Sequence, residues 1–199
     1  MTTCRWKQKD KNVTFIHIPK SGGTSIYKQI GGTPKTITVK VDNRYKTDKH
    51  ADLYKMRKEL GELGFTFTVV RNPWDRMVSA YHYYKRAGHR PPADFPKNFN
   101  QYILNYDWST IAKPQSDYFD VVDYILRFEN LGEDFVRMCK VHGIKTKGAG
   151  LPRVNRSFHK HYSEYYTDAA MMKVQKEFSK DIRRFGYQYE EDRLSLQRA

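Results

Sequence analysis

A strand that runs into a proline, a lysine and two glycines before a helix begins is the feature that most narrows the folds open to this chain. Val13-Thr-Phe-Ile-His-Ile18 is a β-branched and aromatic run, short enough for a buried strand. Pro19 ends it, Gly22 and Gly23 follow, and Thr24-Ser-Ile-Tyr-Lys-Gln-Ile30 reads as a short helix. Strand, glycine-containing loop and helix, in that order, present backbone N–H groups to an anion.

The alternation continues downstream. Thr36-Ile-Thr-Val-Lys-Val41 alternates polar and apolar residues and reads as the next strand, and Asp52 to Leu60 reads as a helix broken by Gly61 and Gly64. Phe65-Thr-Phe-Thr-Val-Val70 is the strongest strand signal. Beyond it Asn72 can cap a helix, Pro73 suits the first helical position and Asp75 complements the dipole. That helix carries Met77, Val78, Tyr81 and Tyr84 on one apolar face. Further helices are expected over 97–106, 131–142 and 168–185, with a strand over 121–128. The segments 88–96 and 145–150 read as loops, the first suited to substrate-specific variation. Strands alternating with helices imply an α/β fold with a central, largely parallel sheet. No linker divides the chain, so 1–199 is expected as a single domain of three layers, with 1–12 as a flexible N-terminal segment.

Composition limits the partners without choosing one. Lys and Arg number 36 against 22 Asp and Glu, a formal net charge of +14 spread along the whole chain. Such an excess draws in polyanions, and nucleic acid, an acidic glycan, an anionic membrane surface and a phosphorylated nucleotide all satisfy it. No apolar run approaches the roughly 20 residues that span a bilayer, and the N-terminal decapeptide lacks the apolar core of a secretory signal. Cys4 and Cys139 are expected as free thiols in a reducing compartment, without the paired spacing that zinc requires.

Two motifs carry the chemistry. In Pro19-Lys20-Ser21-Gly22-Gly23-Thr24-Ser25 the lysine precedes the glycines, whereas a nucleoside-triphosphate P-loop places it after them. The second motif, Arg71-Asn-Pro-Trp-Asp-Arg76-Met-Val-Ser79-Ala-Tyr81, puts an arginine at a strand end and a serine two turns into the next helix. A guanidinium there can grip a phosphate through two oxygens. Together the motifs resemble those of the sulfotransferases that use 3′-phosphoadenosine 5′-phosphosulfate (PAPS), and the wording from His17 to Ser25 is most similar to the carbohydrate, Golgi-type branch. Lys113 to Phe119, Val122 to Leu131, Leu151 to Ser157 and Asp181 to Tyr187 resemble recurrent segments of that branch too.

The resemblance implies a P-loop-like fold and an enzyme that moves the sulfuryl group of PAPS to a hydroxyl acceptor, an oligosaccharide or other glycan. The product would be 3′,5′-bisphosphoadenosine, and no metal is required. Pro19, Lys20, Ser21, Gly22, Gly23, Thr24 and Ser25 would hold the 5′-phosphosulfate, and Arg71 and Ser79 the 3′-phosphate. Closure of the segment after Gly150 over the nucleotide adds Arg153 and Asn155 as candidate contacts. Arg76 would bind the nucleotide or pair with nearby acids.

Sulfuryl transfer to an alcohol needs a base and positive charge near the leaving phosphate. Lys20 fits the second role. Among seven histidines His50 is the candidate base, because relatives carry a histidine between the second strand and the next helix. His17 is its competitor, on a sheet face that the sequence leaves open. His159 and His161 read as surface or acceptor-side residues. Tyr81, Tyr83, Tyr84, Tyr162, Tyr165 and Tyr166 read as half-buried core. A P-loop kinase would need the lysine elsewhere and an acidic metal ligand after a hydrophobic strand. A basic nucleic-acid-binding protein without catalysis leaves the two phosphate motifs unexplained. Neither nucleic acid nor a membrane span is expected. Without an anchor, a cytoplasmic enzyme is expected, or a trimmed Golgi-lumenal catalytic domain.

Overall fold

Alternation decides the first element. In Cys4-Arg-Trp-Lys-Gln8 the side chains of Cys4, Trp6 and Gln8 are buried and Lys7 is exposed, the period of a half-buried strand. The computed structural model of the chain describes residues 4–31, 33–36, 38–41, 44–47, 51–85, 95–105, 107, 112–152 and 160–190, with the backbone alone over 33–47. These residues fall into two compact units, one of 1–71 and 117–155 and one of 72–116 and 156–199.

The first unit holds the sheet. Strand β1 (Cys4–Gln8) turns back into β2 (Lys11–Ile16), which leads through the glycine loop to α1 (Gly23–Gln29). Then come β3 (Thr33–Thr36), a separate two-stranded ladder of β4 (Thr38–Val41) and β5 (Arg44–Thr47), α2 (Leu53–Leu60) and β6 (Phe65–Val70). After the second unit's first segment, β7 (Tyr124–Arg127) and α5 (Leu131–Val141) complete it. The sheet order is β3-β1-β2-β6-β7, with β2, β6 and β7 parallel and β1 antiparallel to both of its neighbours. The mixed α/β class therefore stands, with parallel strands at its heart and helices flanking the sheet.

Two expectations change here. Residues 4–12 are no flexible tail, because burying Cys4 and Trp6 gives the segment a place in the core. The strand expected over 36–41 divides between two ladders. Thr36 ends β3, which includes Pro34, a residue with no N–H to donate, and β3 takes the sheet edge where that donor is not needed.

The core of this unit joins Val13, Phe15, Phe67, Val69 and Leu126 on the sheet to Ile26 of α1, Ile30 just beyond it, and Phe135, Met138 and Cys139 of α5. Central strands are buried on both faces, so β-strand threonines need local partners. Thr68 donates to Ile16 O at 2.8 Å and Thr14 to Leu63 O at 2.6 Å. Thr66 gives both its N–H and its hydroxyl to Asp123, at 2.7 and 2.8 Å, which fixes the register of β7 on β6. Gln8 is buried and ties the end of α1 to the 144–148 segment, donating to Gly31 O and Lys145 O and accepting from Lys145 N.

The second unit is helical. It contains α3 (Pro73–Lys85), α4 (Phe99–Asn105), α6 (Asp168–Glu177) and α7 (Ser179–Phe185). Asn72 caps α3, its Oδ1 accepting from Trp74 N at 3.0 Å. The helix expected over 168–185 is two helices that meet at the fully buried Phe178, where ψ opens to 21°. The tyrosines are core residues here, with Tyr81 and Tyr162 buried and Tyr165 and Tyr166 partly so; only Tyr83 among the six is exposed. Arg76 is fully buried and donates to Lys113 O at 3.0 Å. His161 accepts from Ser163 N, so it caps a turn. Asp181 accepts from Gln115 N, Ser116 N and Ser116 Oγ at 2.6, 2.8 and 2.6 Å.

Candidate active site

The carboxyl ends of β2, β6 and β7 lie side by side, where open α/β sheets bind ligands. Register decides what meets there. Ile16 pairs with Thr68 and Val70 with Arg127, so Arg71 and Phe128 are the next residues on adjacent strands. Val13 and Phe15, Phe67 and Val69, and Leu126 all point to the face shared by α1 and α5. Alternation carries His17, Arg71 and Phe128 to that same face.

All three meet the loop that joins β2 to α1. Gly23 lies directly against the imidazole of His17: a Cβ there would fall under 3.0 Å from the ring and 3.2 Å from Cγ. Gly22 adopts φ 80°, ψ 8°, and a Cβ on it would stand 2.7 Å from Leu131 Cδ2 and 3.2 Å from the Phe128 ring. Arg71 Nη1 donates to the carbonyl of Lys20 at 3.0 Å, and its guanidinium carbon lies 3.9 Å from the centre of the Phe128 ring. The two glycines are thus required by different things, Gly22 by its left-handed backbone and Gly23 by the buried ring beneath it.

Lys20 also has a left-handed backbone, with φ 68°, the one positive φ outside glycine among the described residues. For an L-residue this costs about 1–2 kcal/mol, and such strain concentrates where surrounding structure imposes it for function. Next to it, Ser21 is buried and its Oγ has no hydrogen-bond partner among the described residues. Burying a hydroxyl without a bond costs about 1–3 kcal/mol. Along the loop, Lys20, Gly22 and Thr24 keep partial exposure, whereas Pro19, Ser21, Gly23 and Ser25 are buried. Lys20 and Thr24 are thus the side chains of the loop that keep part of their surface in solvent.

The expected site residues fall in both units. Pro19 to Ser25, Arg71 and His17 come together in the first unit. Ser79 is buried in α3 of the second unit. His50, Arg153, Asn155 and His159 lie outside the described residues, as does most of the 88–96 loop. The sequence reading missed Phe128 and Leu131 as parts of the loop's floor, although both sit in a segment whose likeness to other proteins was legible.

Burial sets the cysteines apart from this chemistry. Both are free and buried in the core of the first unit. Desolvation pushes the Cys139 thiol up to about 11 and the Cys4 thiol further still, so neither is a nucleophile near neutrality.

Comparison with known proteins agrees with the site. The profile of a family described as "Sulfotransferase family" matches residues 6–188, nearly the whole chain. An uncharacterized protein of Archaeoglobus fulgidus is 33% identical over 100 residues, covering 45% of this chain and 77% of that protein. Among the described residues no helix is long and apolar enough to cross a membrane. With the profile running from β1 to the segment beyond α7 and enclosing the lysine–glycine loop and Arg71, the chain belongs to the sulfotransferase family.

Proposed function

We propose that the protein transfers the sulfuryl group of PAPS to a hydroxyl, on a carbohydrate acceptor of the kind used by the Golgi-type branch. The observation that carries the donor assignment is Lys20, strained into a left-handed backbone beside the buried hydroxyl of Ser21, which has no hydrogen-bond partner among the described residues. A triphosphate loop would carry its lysine after the glycines instead. The net charge of +14 suits an anionic donor and does not choose the acceptor.

Bound PAPS supplies an activated sulfuryl group on a good leaving phosphate. Lys20 holds positive charge at the bridging oxygen, and preorganised charge of this kind is worth about 10²–10³ in rate. The loop from Pro19 to Ser25 holds the 5′ side, Ser21, Thr24 and Ser25 adding hydroxyl donors. Arg71 and Ser79 take the 3′-phosphate and Arg153 and Asn155 add contacts; for these, beyond Arg71's place at the strand end, the support is the resemblance of their segments. His50 removes the acceptor proton. His17 is the poorer base, because its ring is buried beneath Gly23.

A thermal shift assay tests the donor. Bisphosphoadenosine at about 100 times Kd stabilises by about 2.7 kcal/mol, which at about 2–4 °C per kcal/mol raises Tm by about 5–11 °C. No shift with the bisphosphate alongside a clear one with ATP and Mg²⁺ would sink the assignment. Sulfation activity of His50→Ala against His17→Ala tests the base, and loss of turnover confined to the latter would show that the wrong histidine was chosen.

A further inference from the structure

The geometry points to Phe128 as a positioning residue of the loop, a platform that aims the Arg71 guanidinium at the carbonyl of Lys20. It rests on the reading of the loop as the donor site and adds a residue outside both phosphate motifs. Phe128 touches two partners. Its ring centre is 3.9 Å from the Arg71 guanidinium carbon, and its edge occupies the space that a Cβ on Gly22 would need.

The arrangement follows from the sheet. Val70 pairs with Arg127 in parallel register, so the next residues, Arg71 and Phe128, emerge beside one another. Both continue the alternation that faces α1, where the loop passes. An arginine has a long side chain with many rotamers, and a stack on an aromatic face restricts them. Arg71 so restricted donates to Lys20 O at 3.0 Å. That bond opposes the relaxation of Lys20 out of its left-handed conformation, the one in which the loop offers its lysine. The ring acts through Arg71 and the loop backbone rather than on the nucleotide.

Phe128→Leu keeps an apolar side chain of similar reach and removes the π-face; Phe128→Tyr keeps the face. Hydrogen exchange of the ligand-free protein reads the brace directly. In Phe128→Leu the amides of 20–25 should exchange about three- to thirtyfold faster, the range expected for losing one cation–π contact. Amides of 65–70 should be unchanged, and Phe128→Tyr should match the wild type. Arg71→Lys keeps the charge, loses the planar fork and leaves the ring in place, so it should speed the same amides should Phe128→Leu fold poorly. Calorimetric titration with 3′,5′-bisphosphoadenosine should then show Kd raised about tenfold in Phe128→Leu and restored in Phe128→Tyr.

Loop exchange unchanged in Phe128→Leu and Arg71→Lys would overturn the inference, as would equal acceleration at 65–70, which would make the ring a mere packing residue. If the loop responds as stated but the wild type binds no bisphosphate, the brace stands and the donor reading falls.

Discussion

Gly23→Ala is a substitution whose sign distinguishes the packing seen here from ordinary helix energetics. Gly23 is the first residue of α1. On propensity alone, alanine in place of a helical glycine stabilises by about 0.5–1 kcal/mol. Against that, the new methyl would fall under 3.0 Å from the His17 ring and 3.2 Å from its Cγ. His17 is only 5% exposed, so the ring has no solvent side to swing into. Forcing one methyl into a packed site costs about 1–3 kcal/mol, which outweighs the propensity term. A net loss of about 1–2 kcal/mol follows, and at about 2–4 °C per kcal/mol this lowers Tm by about 2–8 °C. Thermal unfolding followed by circular dichroism measures it. His17→Ala removes the obstacle, so the double variant should be less destabilised than the sum of the two singles by about 1–2 kcal/mol. A Gly23→Ala protein as stable as wild type, or singles that simply add, would refute the claim that His17 dictates the second glycine.

Further outcomes follow from other parts of the molecule. Asp181→Asn should cost about 2–4 kcal/mol, because one of three donors pointed at a buried carboxylate loses its acceptor; Ser116→Ala, which removes only the hydroxyl, should cost about 1–2 kcal/mol by urea denaturation. An order reversed between the two would show that Asp181 is not the anchor of that segment. Lys20→Gly relieves a left-handed backbone worth about 1–2 kcal/mol while adding unfolded-chain entropy worth about 0.5–1. It should therefore unfold no earlier than wild type yet lose about 10²–10³ in turnover; a less stable Lys20→Gly protein would mean the conformation is not strained. Cys139 keeps its proton to about pH 11 when folded, against 9.0 when unfolded. Between those values the unfolded chain binds fewer protons, so stability falls as pH rises from 9 to 11, with Cys4 adding in the same direction. Cys139→Ala should flatten that part of a stability–pH curve, and an unchanged slope would refute the assignment. At neutral pH both thiols should resist a disulfide reagent until denaturant is added.

Elements with a strong period or a clear cap were legible. β6 falls where its apolar run lies, and α3 begins at the proline behind the asparagine cap. β1 is not legible in the sequence, although Cys4, Trp6 and Gln8 alternate with charged residues, because period two over a few residues at a basic terminus resembles a solvated tail. The break at Phe178 was also hidden, since 171, 174, 178, 182 and 185 keep one apolar side whether or not the helix kinks. In the site, the lysine, serine and glycines were readable because their order is local. Phe128 was not, because its link to Arg71 is set by strand register, which no window of neighbouring residues contains.

Likeness to a family also mixes two physical causes, and the structure separates them. The segments 113–119 and 181–187 resemble family segments but contain none of the phosphate motifs. Asp181 supplies the reason in this chain: its carboxylate closes on the backbone of Gln115 and Ser116, and a buried charge with three donors leaves little freedom for substitution. Around the loop the constraint has another origin. Ser21 is left buried without a bond among the described residues and Lys20 is held in a costly conformation, both of which lower stability where they stand. A fold that only needed a turn between β2 and α1 would gain by replacing each of them. Two such costly residues side by side, next to glycines where a Cβ would clash, fit a loop that answers to a ligand, whereas the Asp181 contact answers to the fold.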